Sequence, residues 1–248
     1  SKLISQNLAK KQYRNTERVL RVSFLYSSLM GAVMASVLFF GADGIAELLK
    51  KPYAAFALRA LAPTVWIMAY LVLLRGYFQG MGNMIPTAIS QILEQIANAI
   101  VSVLMAYVLF AKGQQADLLY KNTEFSYAYG AMGGAIGTGA GAGLALLFMF
   151  LLYRYQRPAL RRKAKRDEGL TESYERSAML LLFTMLPILF SSTVYNISSV
   201  LDDFLYSSIM TSLGSKTKQI VMEWGIFGEY HVLFNIPVAL ANALSSSL

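Results

Sequence analysis

Six apolar runs, separated by polar or charged segments, constrain most strongly what this chain can fold into. They occupy residues 19–40, 57–77, 86–110, 128–153, 178–203 and the stretch from 230 to the last residue. A helix of about 20 apolar residues crosses a hydrocarbon core of about 30 Å. The runs therefore predict an all-α polytopic membrane helix bundle.

The composition supports this class and narrows the chemistry. Hydrophobic residues make up 56% of the chain and charged residues 15%, whereas soluble domains are about 45–50% apolar. With no Cys and one His, the sequence has neither a disulfide framework nor a Cys/His or HExxH metal site. It also lacks a GxSxG nucleophile motif and a nucleotide-binding P-loop. We predict no enzyme activity and no metal or cofactor, with only a coupling ion, Na+ or H+, left open.

The net charge of +8 is concentrated in segments that flank the apolar runs. Segments 1–21, 75–85 and 154–177 hold 6, 1 and 8 of the 22 Lys and Arg residues. Cytoplasmic loops of membrane proteins are enriched in Lys and Arg close to the spans. We therefore predict that these segments are cytoplasmic and that polar loops at 111–127 and 210–229 lie outside. The predicted partners of the basic residues are membrane lipids, and no nucleic acid is expected.

Residues 75–95, RGYFQGMGNMIPTAISQILEQ, join the second apolar run to the third as a membrane hairpin. Three glycines loosen the chain in the connection, and Asn83 can cap the following helix. Pro86 stands where a helix can begin without losing a needed backbone donor. The hairpin therefore places the residues after Pro86 inside the membrane.

The third run carries a polar stripe, because four polar residues recur at every fourth position. These residues are Ser90, Glu94, Asn98 and Ser102. A charged side chain at membrane depth costs roughly 2.5–3.5 kcal/mol and generally faces a bundle interior or a wet cavity. Glu94 is therefore a substrate-path candidate, and the structural alternative is a Glu94 that is protonated or paired with Arg75. Arg75 itself either extends to the cytoplasmic interface or holds an anionic headgroup.

A second polar face occurs in the fifth run. Asn196, Ser199 and Asp203 are three and four positions apart and can face one cavity, while Asp202 points about a quarter turn away. We treat Asn196, Asp202 and Asp203 as further substrate-path candidates. Solvation at the outer interface is the alternative for the two aspartates. His231, at the entrance to the last run, is interpreted as solvated or interfacial rather than as a proton switch.

The fourth run contains a glycine repeat. Gly133, Gly137 and Gly141 lie four positions apart, so one surface of the helix is almost bare backbone. Small residues at this spacing allow transmembrane helices to approach closely. The repeat predicts a helix-packing face. A dinucleotide-binding loop is disfavoured, because no complete GxGxxG follows a strand.

The hairpin sequence also supports a family resemblance. Together with LRALAPTVWIMAYLVLLRGYFQG, NISSVLDDFLYS and HVLFNIPVALANALSSSL, it resembles the polysaccharide exporters of the multidrug/oligosaccharidyl-lipid/polysaccharide flippase superfamily. The resemblance is to the lipid II flippase-like branch of stage V sporulation protein B type. Members of this family have more transmembrane helices than this chain, so the resemblance implies an interior fragment of a multi-pass protein of the bacterial cytoplasmic membrane.

The resemblance implies a domain organisation and a function. Residues 1–153 would form the rear part of an N-terminal lobe with four spans, 154–177 a cytoplasmic basic linker, and 178–248 the start of a C-terminal lobe. The implied activity is translocation of an undecaprenyl-linked oligosaccharide or a lipid II-type cell-wall precursor by alternating access. A cation-coupled multidrug exporter of the same superfamily and a polytopic enzyme acting on lipid-linked sugars are the alternatives. Few basic residues lie at membrane depth, although an anionic headgroup needs cations.

Overall fold

The computed structural model describes residues 1–121, 124–167 and 173–247, without the side chains of residues 195, 231, 234 and 238–247. These residues form eight α-helices and no β-strand, so the predicted all-α fold class is confirmed. The helices are α1 (Lys2–Ala9), α2 (Tyr13–Phe40), α3 (Ala42–Leu48), α4 (Ala54–Gly80), α5 (Ile85–Tyr120), α6 (Phe125–Lys165), α7 (Tyr174–Ser212) and α8 (Thr217–Ser247).

Within the described residues, five helices are long and apolar enough to cross a membrane, namely α2, α4, α5, α6 and α7. Each contains one of the first five predicted runs. The sixth run, from residue 230, lies in α8, where many side chains are outside the described residues. The chain is therefore a multi-pass membrane helix bundle.

The helices extend beyond the predicted spans, which corrects the loops expected from the sequence. The predicted loop at 111–127 is mostly the last turns of α5, and the loop at 210–229 is mostly the end of α7 and the start of α8. The segment 154–177 likewise begins as the last turns of α6. Hydropathy detects only the part of a helix that lies inside hydrocarbon. The helical backbone hydrogen bonds continue into water until a residue interrupts them.

Left-handed backbone conformations mark the tight connections. Lys121 ends α5 with φ of 51°, and Gly214 lies between α7 and α8 with φ of 83°. Glycine adopts positive φ without a steric penalty. Gly214 therefore allows a short turn between α7 and α8, while α5 packs against α6 as a hairpin.

The principal hydrophobic core lies where α1, α2, α4 and α6 meet. Helix α5 packs mainly against α6 and contacts α4 less, so it lies to one side of this core. The largest buried side chains come from the end of α4, where Tyr77 and Phe78 are buried together with Leu71 and Leu74. Tyr77 contacts Tyr153 of α6 edge to face at 5.3 Å. The end of α4 that leads into the 75–95 hairpin is therefore held rigidly by its neighbours.

Two groups of connections lie at opposite ends of the bundle. At one end the start of α2 meets the segment after α6, where the Arg14 backbone N–H donates to Asp167 at 3.0 Å. At the other end Lys51, before α4, pairs with Asp203 of α7 at 2.5 Å. The segments predicted as cytoplasmic thus share an end, while membrane sidedness itself stays a prediction from the charges.

Candidate functional site

A charged cluster links the end of α4 to the start of α5. Arg75 Nη2 lies 2.6 Å from Glu94 Oε2, and Arg75 Nε donates to Ser90 Oγ at 2.9 Å. The side chains of Arg75 and Glu94 are only 11% and 13% exposed. Both charges are therefore largely withdrawn from solvent and satisfied by each other. Of the two structural alternatives for Glu94, pairing with Arg75 is the one observed.

The local sequence explains how this cluster forms. The Ile85 backbone N–H donates to Asn83 Oδ1 at 3.2 Å, and α5 begins at Ile85 with Pro86 in its first turn. This tight connection brings the first turns of α5 beside the last turns of α4. Ser90 and Glu94 lie one turn apart on α5, so both reach the same guanidinium group.

The second half of the polar stripe has different partners. Ser102 Oγ lies 2.7 Å from Asn98 Oδ1 and 3.1 Å from the Gly134 carbonyl oxygen, so its single proton can be donated to either acceptor. Thr138 Oγ1 of α6 lies 3.4 Å from the same Asn98 oxygen. Asn98 and Ser102 thus contribute to the interface of α5 with α6, and Ser90 and Glu94 to the contact with α4.

The glycine repeat of α6 lies directly on α5. A Cβ atom added at Gly133 would come within 2.5 Å of the Met105 and Ala106 backbone, and one at Gly141 within 2.6 Å of the Glu94 carbonyl oxygen. A Cβ at Gly137 would overlap the backbone of Ser102. All three glycines are buried. The backbones therefore approach so closely that no side chain fits between them at these three positions.

The second polar face, on α7, is dispersed rather than clustered. Asn196 is exposed and its Nδ2 donates to the Ser192 carbonyl oxygen of its own helix at 2.7 Å. Asp202 is exposed, whereas Asp203 is partly buried against Lys51. The described part of the chain does not bring these residues near Arg75 or Glu94. The His231 side chain lies outside the described residues.

The family follows from comparison with known proteins. A model of the polysaccharide biosynthesis protein family matches residues 2–248. The chain belongs to this family. Together with the relatives described next, this match confirms the resemblance to the polysaccharide exporter and lipid II flippase-like branch, and with it a multi-pass protein of a bacterial membrane.

Three curated relatives come from Bacillus subtilis (strain 168). Stage V sporulation protein B is 35% identical over 97 residues, covering 39% of this chain and 19% of the relative. The uncharacterized membrane protein YabM is 31% identical over 111 residues, covering 45% and 21%. Lipid II flippase MurJ is 26% identical over 147 residues, covering 55% and 27%. The chain thus matches about a fifth to a quarter of each relative's length, and no solved structure matches it.

Two long-range polar contacts could not be predicted from the sequence. Lys51 and Asp203 are 152 positions apart, so no helical periodicity relates them. Tyr206 Oη donates to Glu223 Oε2 at 2.9 Å across the turn between α7 and α8, and Glu223 lies in the segment 210–229 that was predicted as a loop. No group of three His, Cys, Asp or Glu side chains able to hold a metal ion occurs within the described residues.

Proposed function

We propose that this chain forms part of a flippase that moves an undecaprenyl-linked oligosaccharide or lipid II-type precursor across the bacterial cytoplasmic membrane. The family and the name of one relative, Lipid II flippase MurJ, support transport of a lipid-linked precursor rather than its covalent conversion. A sugar-pyrophosphate headgroup cannot cross hydrocarbon unaided. It needs a polar path between helices that opens alternately to each side.

The observation that carries this proposal is the Arg75–Glu94 pair between two apolar helices. A guanidinium group has five N–H donors, and the bonds to Ser90 and Glu94 use Nε and Nη2. Further donors remain for a phosphate oxygen. A headgroup phosphate that approached Arg75 would compete with the Glu94 carboxylate, so binding could be coupled to rearrangement of the contact between α4 and α5.

The same pair weakens the cation-coupled alternative. A carboxylate that binds Na+ or H+ during transport must be able to exchange that cation. Glu94 is instead paired at 2.6 Å with the guanidinium group of Arg75, which is part of the chain and cannot be exchanged. Arg75 therefore occupies the position that a coupling ion would need, unless the pair opens during the transport cycle.

We also propose the domain organisation and orientation given by the resemblance. Residues 1–153 form the rear part of the N-terminal lobe, 154–177 the cytoplasmic linker and 178–248 the start of the C-terminal lobe. The concentration of Lys and Arg in 1–21 and 154–177 supports this orientation. Because the chain has no Cys, single cysteines test it directly. Cysteine at position 163 should resist an impermeant thiol reagent in intact cells and cysteine at position 115 should react, and the reverse pattern would overturn the orientation.

The transport test uses the full-length protein that contains this chain, reconstituted into liposomes with a fluorescent undecaprenyl-linked oligosaccharide. Loss of one charge-assisted hydrogen bond is worth about 1.5–3 kcal/mol, so Glu94→Gln should slow transport about 10- to 100-fold. Asp43→Asn is the matched control, because Asp43 pairs with Arg59 on an exposed surface. It should transport at the parental rate.

A charge reversal separates transport from folding. The double variant Arg75→Glu/Glu94→Arg keeps an ion pair but exchanges the two charges. Transport that stays low in a folded double variant supports a role at these positions, whereas full recovery would show that the pair is only structural. Movement of cationic dyes in place of the lipid-linked sugar would favour the multidrug exporter, and a covalently altered lipid would favour the enzyme.

A further inference from the structure

A strongly basic cleft of about 810 Å³ lies where α2, α6 and α7 meet at the predicted cytoplasmic end. Three cationic side chains come from the start of α2 and three from the end of α6. They are Arg14, Arg18, Arg21, Arg161, Arg162 and Lys165. Tyr174, the first residue of α7, completes the lining. Three helices distant in sequence thus bring their charges to one place.

The cleft has fewer acidic than basic side chains. Glu17 Oε1 accepts from Arg21 at 2.7 Å and lies 3.4 Å from Arg161 Nε, so one carboxylate holds arginines from two helices. Asp167 accepts the Arg14 backbone N–H at 3.0 Å. Six cationic side chains against two carboxylates leave a formal excess of four positive charges in the described lining.

Membrane orientation alone does not explain this arrangement. The positive-inside rule requires Lys and Arg near the spans but does not require them to converge. Arg14 and Arg18, and likewise Arg161 and Lys165, are four positions apart on one helix, a spacing at which like charges repel. An anion in the cleft would relieve this repulsion. Guanidinium groups bind phosphate oxygens in bidentate geometry, which favours a phosphate.

The surroundings of the cleft favour a phosphate carried by a lipid. Leu25, one turn beyond Arg21 on α2, is 72% exposed, and Met179, five positions after Tyr174 on α7, is 60% exposed. Tyr155 on α6 is 85% exposed, and aromatic side chains of this kind are enriched at membrane interfaces. Exposed apolar and aromatic side chains therefore lie close in sequence to the cleft residues on all three helices, on the side toward the apolar spans, where acyl chains would lie.

We propose that this cleft binds the phosphate headgroup of an anionic phospholipid from the cytoplasmic leaflet. Glu17 holds Arg21 and Arg161 in place, Arg18 lies over the Tyr174 ring at 5.0 Å, and Arg14, Arg162 and Lys165 add further positive charge to the lining. The bound lipid would join α2 and α6 to the start of α7. The site is separate from the Arg75–Glu94 pair and does not depend on which molecule the protein transports.

The experiment measures lipid binding to the purified full-length protein in neutral detergent by native mass spectrometry, with short-chain phosphatidylglycerol as the probe. Each basic residue near a membrane surface contributes about 1 kcal/mol to attraction of anionic lipid. Arg162→Gln/Lys165→Gln should therefore weaken binding about 10- to 30-fold. Arg154→Gln/Arg176→Gln is the matched control, because it removes two charges from the same segment at positions outside the cleft. It should change the affinity less than about threefold.

Three outcomes would overturn the proposal. Equal weakening by both double variants would mean a diffuse charge effect and no defined site. Equal binding of phosphatidylcholine would mean that the headgroup charge is not recognised. Inorganic phosphate that displaces the lipid at equal concentration would identify a soluble anion site. If the cleft variant does not fold, a photoactivatable phosphatidylglycerol in nanodiscs with the parent protein still decides, since its crosslinks should map to residues 14–21 and 161–165.

Discussion

The α5–α6 hairpin and the α7–α8 hairpin show two different ways for a helix pair to exist in a membrane. The first pair places Gly133, Gly137 and Gly141 against the backbone of α5 and adds hydrogen bonds through Asn98 and Ser102. Within the described residues, the second pair has far fewer contacts, and its side-chain contacts, Tyr206 with Trp224 and Glu223, lie near its turn. Small and polar residues hold two transmembrane helices together directly, whereas a pair without such contacts depends on lipid or on other helices.

Substitutions in the buried Arg75–Glu94 pair should have the largest effect on stability. Glu94 lies on α5, which is part of the more closely packed helix pair. Glu94→Gln leaves the Arg75 charge without its partner, and breaking a buried ion pair costs about 3–5 kcal/mol. Thermal unfolding in detergent should show a large decrease in Tm. Arg75→Gln/Glu94→Gln should recover part of it, because no unpaired charge remains. A double variant less stable than either single one would contradict this account.

The glycine contact should give the next largest effect. Gly137→Ala forces a methyl group onto the Ser102 backbone, and overpacking of this kind costs about 1–3 kcal/mol. Gly137→Leu should lower the folded yield further. Gly143→Ala is the control, because a Cβ there meets nothing within 4 Å. If both alanine variants have the same Tm and folded yield as the parent, close approach is not what holds α5 to α6.

The Lys51–Asp203 pair tests how firmly α7 is attached to the first helices. Its side chains are 17% and 20% exposed, so solvent screens the pair more than Arg75–Glu94. We expect a coupling of about 1 kcal/mol from a double-mutant cycle of Lys51→Met and Asp203→Asn. Asp202→Asn is the control, since Asp202 is exposed on the same helix. A coupling near zero would mean that the pair does not hold α7 in place.

The contact between α7 and α8 should give the smallest effect. Tyr206 stacks on Trp224 with ring centroids 4.9 Å apart and also donates to Glu223. Tyr206→Phe keeps the stacked ring and loses only one part-buried hydrogen bond, so it should lower Tm only slightly. Trp224→Ala removes the ring contacts with Tyr206 and Phe227 and should lower Tm measurably. The opposite order would mean that the hydrogen bond joins the hairpin.

The sequence predicted the membrane-spanning helices well and the positions of their ends poorly. The first five apolar runs each lie within one long helix, because burial in hydrocarbon requires a continuous apolar segment. The predicted loop at 111–127 was wrong for most of its length. Polar residues such as Gln114 and Gln115 can extend a helix into water, and Asp117 accepts the Phe125 and Ser126 backbone N–H groups at the start of α6.

The sequence by itself determined the membrane class, the family and which polar residues needed hydrogen-bond or ion-pair partners inside the bundle. Periodicity placed Ser90, Glu94, Asn98 and Ser102 on one face, because side-chain direction within a helix is a local property. Only the tertiary structure decided their partners, since Arg75 and Thr138 reach that face from other helices. The same holds for Lys51 with Asp203 and for the basic cleft, whose residues lie far apart in the chain and meet only when the helices pack.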